Sequence, residues 1–183
     1  MEPSPYLVLL RGINVGGRNK VPMKMLKGHL EDLGYEHVLT YIASGNVLLE
    51  SADAAAEIGP RIEEALTERF ELDDELIRVL VLSRAQLQDV IAHKPEGFGE
   101  QPGKYHSDAI FLMGIDAAEA MPAFNPREGV DAVWPGEGVI YSRRLSAERS
   151  RSRLGTIAAS PVYKSMTIRS WNTTQKLWNL FQD

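Results

Sequence analysis

Tyr6-Leu7-Val8-Leu9-Leu10-Arg11-Gly12-Ile13-Asn14-Val15-Gly16-Gly17-Arg18-Asn19-Lys20 joins an apolar run of β-formers to a polar, glycine-bearing loop. A short run of this kind, closed by Gly12, reads as a buried strand. Beyond the loop, Pro22 suits the first position of a helix. Met23, Leu26, Leu30 and Leu33 then recur at helical spacing until Gly34 ends the pattern. Two strands follow, Val38–Ile42 and Val47–Leu49, with Ser44-Gly45-Asn46 supplying turn chemistry between them. A second helix carries Ile62, Ala65, Leu66 and Phe70 on one face; Gly59-Pro60 blurs its start, because an interior proline loses a hydrogen bond. Leu76–Leu82 is the fourth strand. The order β-α-β-β-α-β is the split-βαβ, ferredoxin-like pattern.

The second half repeats this order loosely, though not its residues. Helix Arg84–His93 leads into Lys94–Gly103, the longest Pro/Gly-rich segment and therefore the expected linker. Then come strand Asp108–Met113, a short helix near Asp116–Met121, and strands Ala132–Trp134 and Val139–Ser142 around the turn Pro135-Gly136-Glu137-Gly138. Helices are expected over Arg149–Ala159 and Thr173–Phe181. The expected fold class is α/β (α+β), a duplicated architecture. Residues 1–83 form a first subdomain, 84–106 a helix and linker, and 107–183 a second subdomain with C-terminal helices.

Composition narrows the classes. The 183 residues are 44% hydrophobic and 25% charged, ordinary values for a globular chain. No apolar run approaches the roughly 18 residues of a membrane span, and the N-terminus lacks a signal peptide's basic start and cleavage site. The absence of cysteine excludes disulfides and thiolate metal sites. A cytoplasmic location without membrane partners is the expectation. The net charge of −5 conceals segregation: residues 3–30 and 143–176 are basic, whereas 50–75 are acidic. A positive face on an acidic protein favours a local anionic ligand over coating by nucleic acid. Solvated, scattered charges would give the same counts.

The loop after the first strand is the densest chemical feature. Backbone N–H groups at Gly16 and Gly17, with Arg11, Asn14 and Lys20, are groups that hold a phosphate. Gly12-x-x-x-x-Gly17 has P-loop spacing, but Arg18-Asn19 replaces the Lys-Ser/Thr that motif needs, so a Walker A site is rejected. Gly-x-Gly-x-x-Gly is absent too. The competing reading is a tight turn at Gly16-Gly17 with solvated cations. A second dense segment runs from Tyr163 to Lys176. Here Asn172 and Gln175 resemble an N-cap and its capping-box partner, and a helix start near Thr167, Arg169 and Lys176 is also an anion site. Trp171 could stack on a base, though a core aromatic is the commoner role. His29, His37, His93 and His106 show no metal-binding spacing, and Ser44 has no nucleophile-elbow context, so no metal or cofactor is expected and no catalytic residue is identified.

Leu9–Met23 (LLRGINVGGRNKVPM), Thr40–Val47 (TYIASGNV), Ser152–Leu154 (SRL) and Val162–Leu177 (VYKSMTIRSWNTTQKL) resemble the bacterial domain-of-unknown-function family numbered 1697. Two positions depart from its usual pattern: Ala43 stands where the family has Gln, and Ser170 where it has Asn. The resemblance implies two similar ferredoxin-like subdomains and no established activity. It singles out Arg11, Asn14, Lys20, Tyr41, Ser44, Asn46, Thr167, Arg169, Asn172 and Lys176. Polar residues gathered in turns are poor core formers and good site formers, so both segments are expected to line a common cleft. The leading expectation is binding of a phosphorylated or otherwise anionic small molecule, such as a nucleotide, or a short single-stranded nucleic acid. The alternatives are an interaction module without ligand, whose protein partner the sequence does not name, and an enzyme acting on such an anion.

Overall fold

The computed structural model describes residues 2–73 and 77–183. The apolar run of the N-terminus becomes β1 (Ser4–Arg11), and the helical repeat becomes α1 (Met23–Asp32), entered through Pro22 as N-cap. β2 (Glu36–Tyr41), β3 (Asn46–Ser51), α2 (Ala55–Arg69), β4 (Arg78–Ser83) and α3 (Arg84–Ala92) follow. Of the expected fourth strand, Leu76 lies outside the described residues, as do Asp74 and Glu75 of the acidic cluster.

The first compact unit comprises residues 1–87 with 180–183. Its antiparallel sheet has the order β2-β3-β1-β4, with Val8 opposite Val47 and Val81. Val8, Leu10, Val47 and Leu49 face Leu26, Leu30, Ile58, Ile62 and Leu66 of the two helices, and this layer is the core. Helix α2 runs through Pro60. Ala54 has no side-chain oxygen to cap it, so Glu57 completes only half a capping box, accepting from the Ala54 N–H at 3.2 Å. Gly59 is buried, and an added Cβ would lie 3.3 Å from the Val79 carbonyl of β4. The Gly-Pro pair that blurred the start is therefore inside the helix, where glycine lets α2 approach the sheet.

The second unit comprises residues 88–179. It contains β5 (Tyr105–Leu112), α4 (Ala117–Ala120), β6 (Asp131–Pro135), β7 (Val139–Leu145), β8 (Met166–Ser170) and most of α5 (Trp171–Gln182). Sheet order is β6-β7-β5-β8, again antiparallel. Ile110, Leu112, Ile140 and Met166 pack with Ala117, Ala120 and Ile157 on one side. Phe98, Trp134, Tyr141 and Trp171 form an aromatic cluster, with Phe98 centred 5.2 Å from Tyr141 and 5.1 Å from Trp171. Phe98, from the segment that reads as a linker, is fully buried.

The expected helix at Arg149–Ala159 does not form. Two short 3-10 helices, Ser146–Arg151 and Leu154–Ala159, replace it, and a third, Pro161–Ser165, follows. Asp131 explains the break. Its carboxylate accepts from Ser152 Oγ at 2.6 Å and from the N–H groups of Arg127 (2.9 Å) and Arg153 (2.8 Å), which draws the chain out of helical register. Among the described residues no helix is long and apolar enough to cross a membrane.

Candidate functional site

In the first unit, the glycine loop and the turn before β3 are joined by one side chain. Asn14 Nδ2 donates to the carbonyls of Ala43 (2.8 Å) and Val21 (2.9 Å), while its Oδ1 accepts from the Val21 N–H at 2.8 Å. Leu10 N–H also donates to Gly45 O at 2.8 Å. Gly45 has φ +89°, and a Cβ there would lie 2.9 Å from Leu10 Cβ. Within the turn, buried Asn46 donates from Nδ2 to Tyr41 O and Ser44 Oγ, both at 2.9 Å. Ile42 is held at φ 49°, a strained backbone for a β-branched residue, with its side chain half exposed.

Gly16 and Gly17 form the tip of a two-residue hairpin. Arg18 N–H bonds Val15 O at 3.0 Å, and both glycines have positive φ, 59° and 76°, as a type I′ turn requires. Both are exposed, with nothing within 4 Å of an added Cβ. Asn19 is buried: its Nδ2 donates to Gly12 O at 2.9 Å and its Oδ1 accepts from Asp73 N–H at 2.8 Å. Its own N–H donates to Asp73 Oδ2 at 2.7 Å, so an internal carboxylate already occupies one of the loop's donors. Arg18 and Lys20 are exposed, and Arg11 ends β1 opposite Arg78 of β4.

In the second unit, Arg169 is buried on β8. Its Nη1 donates to Thr167 Oγ1 and to Ile168 O, both at 2.9 Å, and burial pulls its pKa down to about 10, so it remains charged at neutral pH. Asn172 is not the N-cap. Helix α5 starts at Trp171, and Ser170 Oγ accepts from the Thr173 N–H at 3.1 Å. Thr174 Oγ1 adds a bond to Ser170 O at 2.9 Å. The sequence pattern was shifted by two residues because Ser170, rather than Asn172, follows directly on the strand. Ser170→Ala is accordingly expected to cost about 1 kcal/mol in denaturant unfolding, and Asn172→Ala under about 0.5 kcal/mol, as for exposed surface sites. Asn172 and Lys176 are exposed on α5, and Trp171 is a core aromatic.

The structure thus brings Asn14, Gly16, Gly17 and Lys20 together with Tyr41, Ser44 and Asn46 in one unit. Thr167, Arg169, Asn172 and Lys176 belong to the other. The His106–Asp108 pair was missed. His106 Nε2 lies 3.1 Å from both carboxylate oxygens of Asp108, two residues on and therefore on the same strand face. Desolvation raises the Asp108 carboxyl pKa against the opposing charges of His106 and Arg144. The i, i+2 spacing within a strand was the available signal. Glu36, His37 and Glu50 place one potential ligand atom each within 4.8 Å of one another, a grouping that the exposed His37–Glu50 pair (3.0 Å) accounts for without an ion.

No curated protein matches this chain. Among solved structures, that of the conserved bacterial protein SP0830 from Streptococcus pneumoniae is similar, with a TM-score of 0.79 over 98% of this chain and 99% of that one. The two are 24% identical, which speaks for the fold alone. The profile of DUF1697, described as a protein of unknown function, matches residues 4–141, which include the glycine loop and the Tyr41–Asn46 turn but end before Ser152–Leu154 and the α5 segment. By that match the chain belongs to the DUF1697 family.

Proposed function

We propose that this protein binds a phosphorylated or otherwise anionic ligand, a nucleotide or a short single-stranded nucleic acid, at the surface formed by the glycine loop and the Tyr41–Asn46 turn. The observation that carries this reading is the Asn14 bridge to Ala43 O at 2.8 Å, which fixes the two loops together. The frame holds Ile42 in a strained conformation, and strain of that kind persists where surrounding structure over-determines it, commonly at ligand sites. Exposed Arg18 and Lys20 then stand on a rigid mount beside the open glycine tip, and charge fixed in place costs less ordering entropy on binding.

A second reading, an interaction module without a ligand, has its own support. Asn14, Asn19 and Asn46 all donate to backbone carbonyls, and Asp73 sits on the Asn19 N–H. A thermal-shift panel of nucleotides, phosphosugars, inorganic phosphate and short single strands separates the two. A ligand at a hundred times its dissociation constant stabilises by about 2.7 kcal/mol, or roughly 5–10 °C at this size. The proposal expects such a shift, abolished in Arg18→Ala/Lys20→Ala. No shift from any class would favour the interaction module.

A further inference from the structure

We propose that the second unit binds a single-stranded polynucleotide on one face of its sheet, at the corner formed by Trp134, Arg143 and Tyr105. The site shares no residue with the loop surface of the first unit and stands independently of it.

The sheet register puts these residues on one face. Arg143 of β7 lies opposite Ala132 of β6 and Ser107 of β5. Trp134 and Tyr105 each stand two residues from one of those partners, and so share the face of Arg143. The contacts agree: Arg143 Cζ lies 4.0 Å from the Tyr105 ring centroid and 5.2 Å from that of Trp134. All three residues are half-buried. Farther along the same face Ala109, Phe111, Tyr141 and Arg169 are buried, so the corner is where a ligand meets it.

Cations and rings alternate here without compensating acid. Lys104 Nζ lies 5.1 Å from the Tyr105 centroid. The Lys104 carbonyl accepts from the Ser146 N–H at 2.9 Å, which anchors beside it the 3-10 helix that carries exposed Arg149. Among the described residues Arg143 makes no hydrogen bond or ion pair, and Lys104 and Arg149 make no ion pair. Glu148, the one acid between Arg143 and Arg153, is engaged by Arg151 at 3.1 Å. The two rings hold the Arg143 guanidinium in place, so an anion binds it at little ordering cost. Arg143, Lys104 and Arg149 then take phosphates of one strand. Lys104, on its flexible stem, turns from the ring to a phosphate and yields its place on Tyr105 to a base. A four-stranded sheet with aromatic side chains on one face is a general platform for stacked bases. The rings decide for a polynucleotide over an acidic peptide, whose carboxylates would use the cations and leave the rings idle.

Fluorescence anisotropy with labelled oligothymidylate and oligouridylate of about twelve nucleotides tests this on the full chain. Running it in wild type and in Arg18→Ala/Lys20→Ala, which disables the loop surface, isolates the sheet corner. Saturable binding of at least one oligonucleotide is expected in both, with a log–log salt slope of roughly −2 for three phosphate contacts. Adding Lys104→Ala/Arg149→Ala, both at exposed positions, should weaken binding by about tenfold or more and cut the slope to roughly a third. Tyr105→Leu should weaken it by about tenfold with the slope unchanged, the mark of a stacking contact. Absence of saturation, displacement by charge-matched polyglutamate as readily as by unlabelled oligonucleotide, or unchanged affinity in either folded variant would each overturn the proposal. Binding present in wild type but lost in Arg18→Ala/Lys20→Ala would also overturn it, while leaving the loop surface of the first unit standing.

Discussion

Gly99→Ala is expected to destabilise the protein by about 4 kcal/mol. Two costs combine. Gly99 has φ +80°, a backbone that costs an L-residue about 1–2 kcal/mol. Its new Cβ would also fall onto the Trp171 ring, against Cδ1 and Nε1. That ring cannot move aside cheaply, since Phe98 and Tyr141 pack against it at 5.1 and 6.2 Å between centroids, and overpacking costs about 1–3 kcal/mol. At about 2–4 °C per kcal/mol for a chain this size, the melting temperature should fall by roughly 10 °C. Calorimetry showing a loss of under about a degree would mean that the aromatic cluster is looser than its geometry indicates.

Asp131→Ala is expected to cost about 3 kcal/mol. The carboxylate ties the start of β6 to Ser152 and Arg153, and its loss orphans two backbone N–H groups besides the Ser152 hydroxyl. The effect should depend on pH. Desolvation pushes the Asp131 carboxyl up, but the hydrogen bonds from Ser152, Arg127 and Arg153 outweigh it, and its pKa lies below the ordinary value. A lowered folded pKa stabilises above the unfolded value of about 3.9 and loses that contribution as pH falls through the folded value. The melting-temperature gap between wild type and Asp131→Ala should therefore narrow as pH falls below the unfolded value and through the lowered folded one. A gap that stays constant over that range would contradict the assignment.

The same carboxylate shows where sequence reading stops. Arg149–Ala159 lacks a clear apolar repeat, yet its composition suits a helix about as well as a string of 3-10 turns. What breaks it is Asp131, 21 residues upstream of Ser152, through a 2.6 Å bond. The α5 cap was misplaced for a related reason: Asn172 and Gln175 match a capping pattern, but where β8 ends determines which residue caps. At the loop, the sequence announced polar groups without saying what they hold. Asn14 and Asn19 turned out to bond carbonyls that lie beyond a residue-by-residue reading, the farthest being Ala43.

The sequence by itself determined seven of the eight strands among the described residues and placed the polar residues of the first unit's two loops in turns, but it missed β8, which carries Thr167 and Arg169, and left the strand order of the sheets open. What it determined follows from local apolar periodicity, glycine and proline, which act over a few residues. Only the tertiary structure decided that Asn14 pins two loops 29 residues apart. It alone paired His106 with Asp108 beside the start of α5, and it buried Phe98 from an apparent linker. Each of these depends on which backbone groups meet after the chain closes on itself, and hydrogen bonds and packing of that kind leave no periodic trace in the sequence.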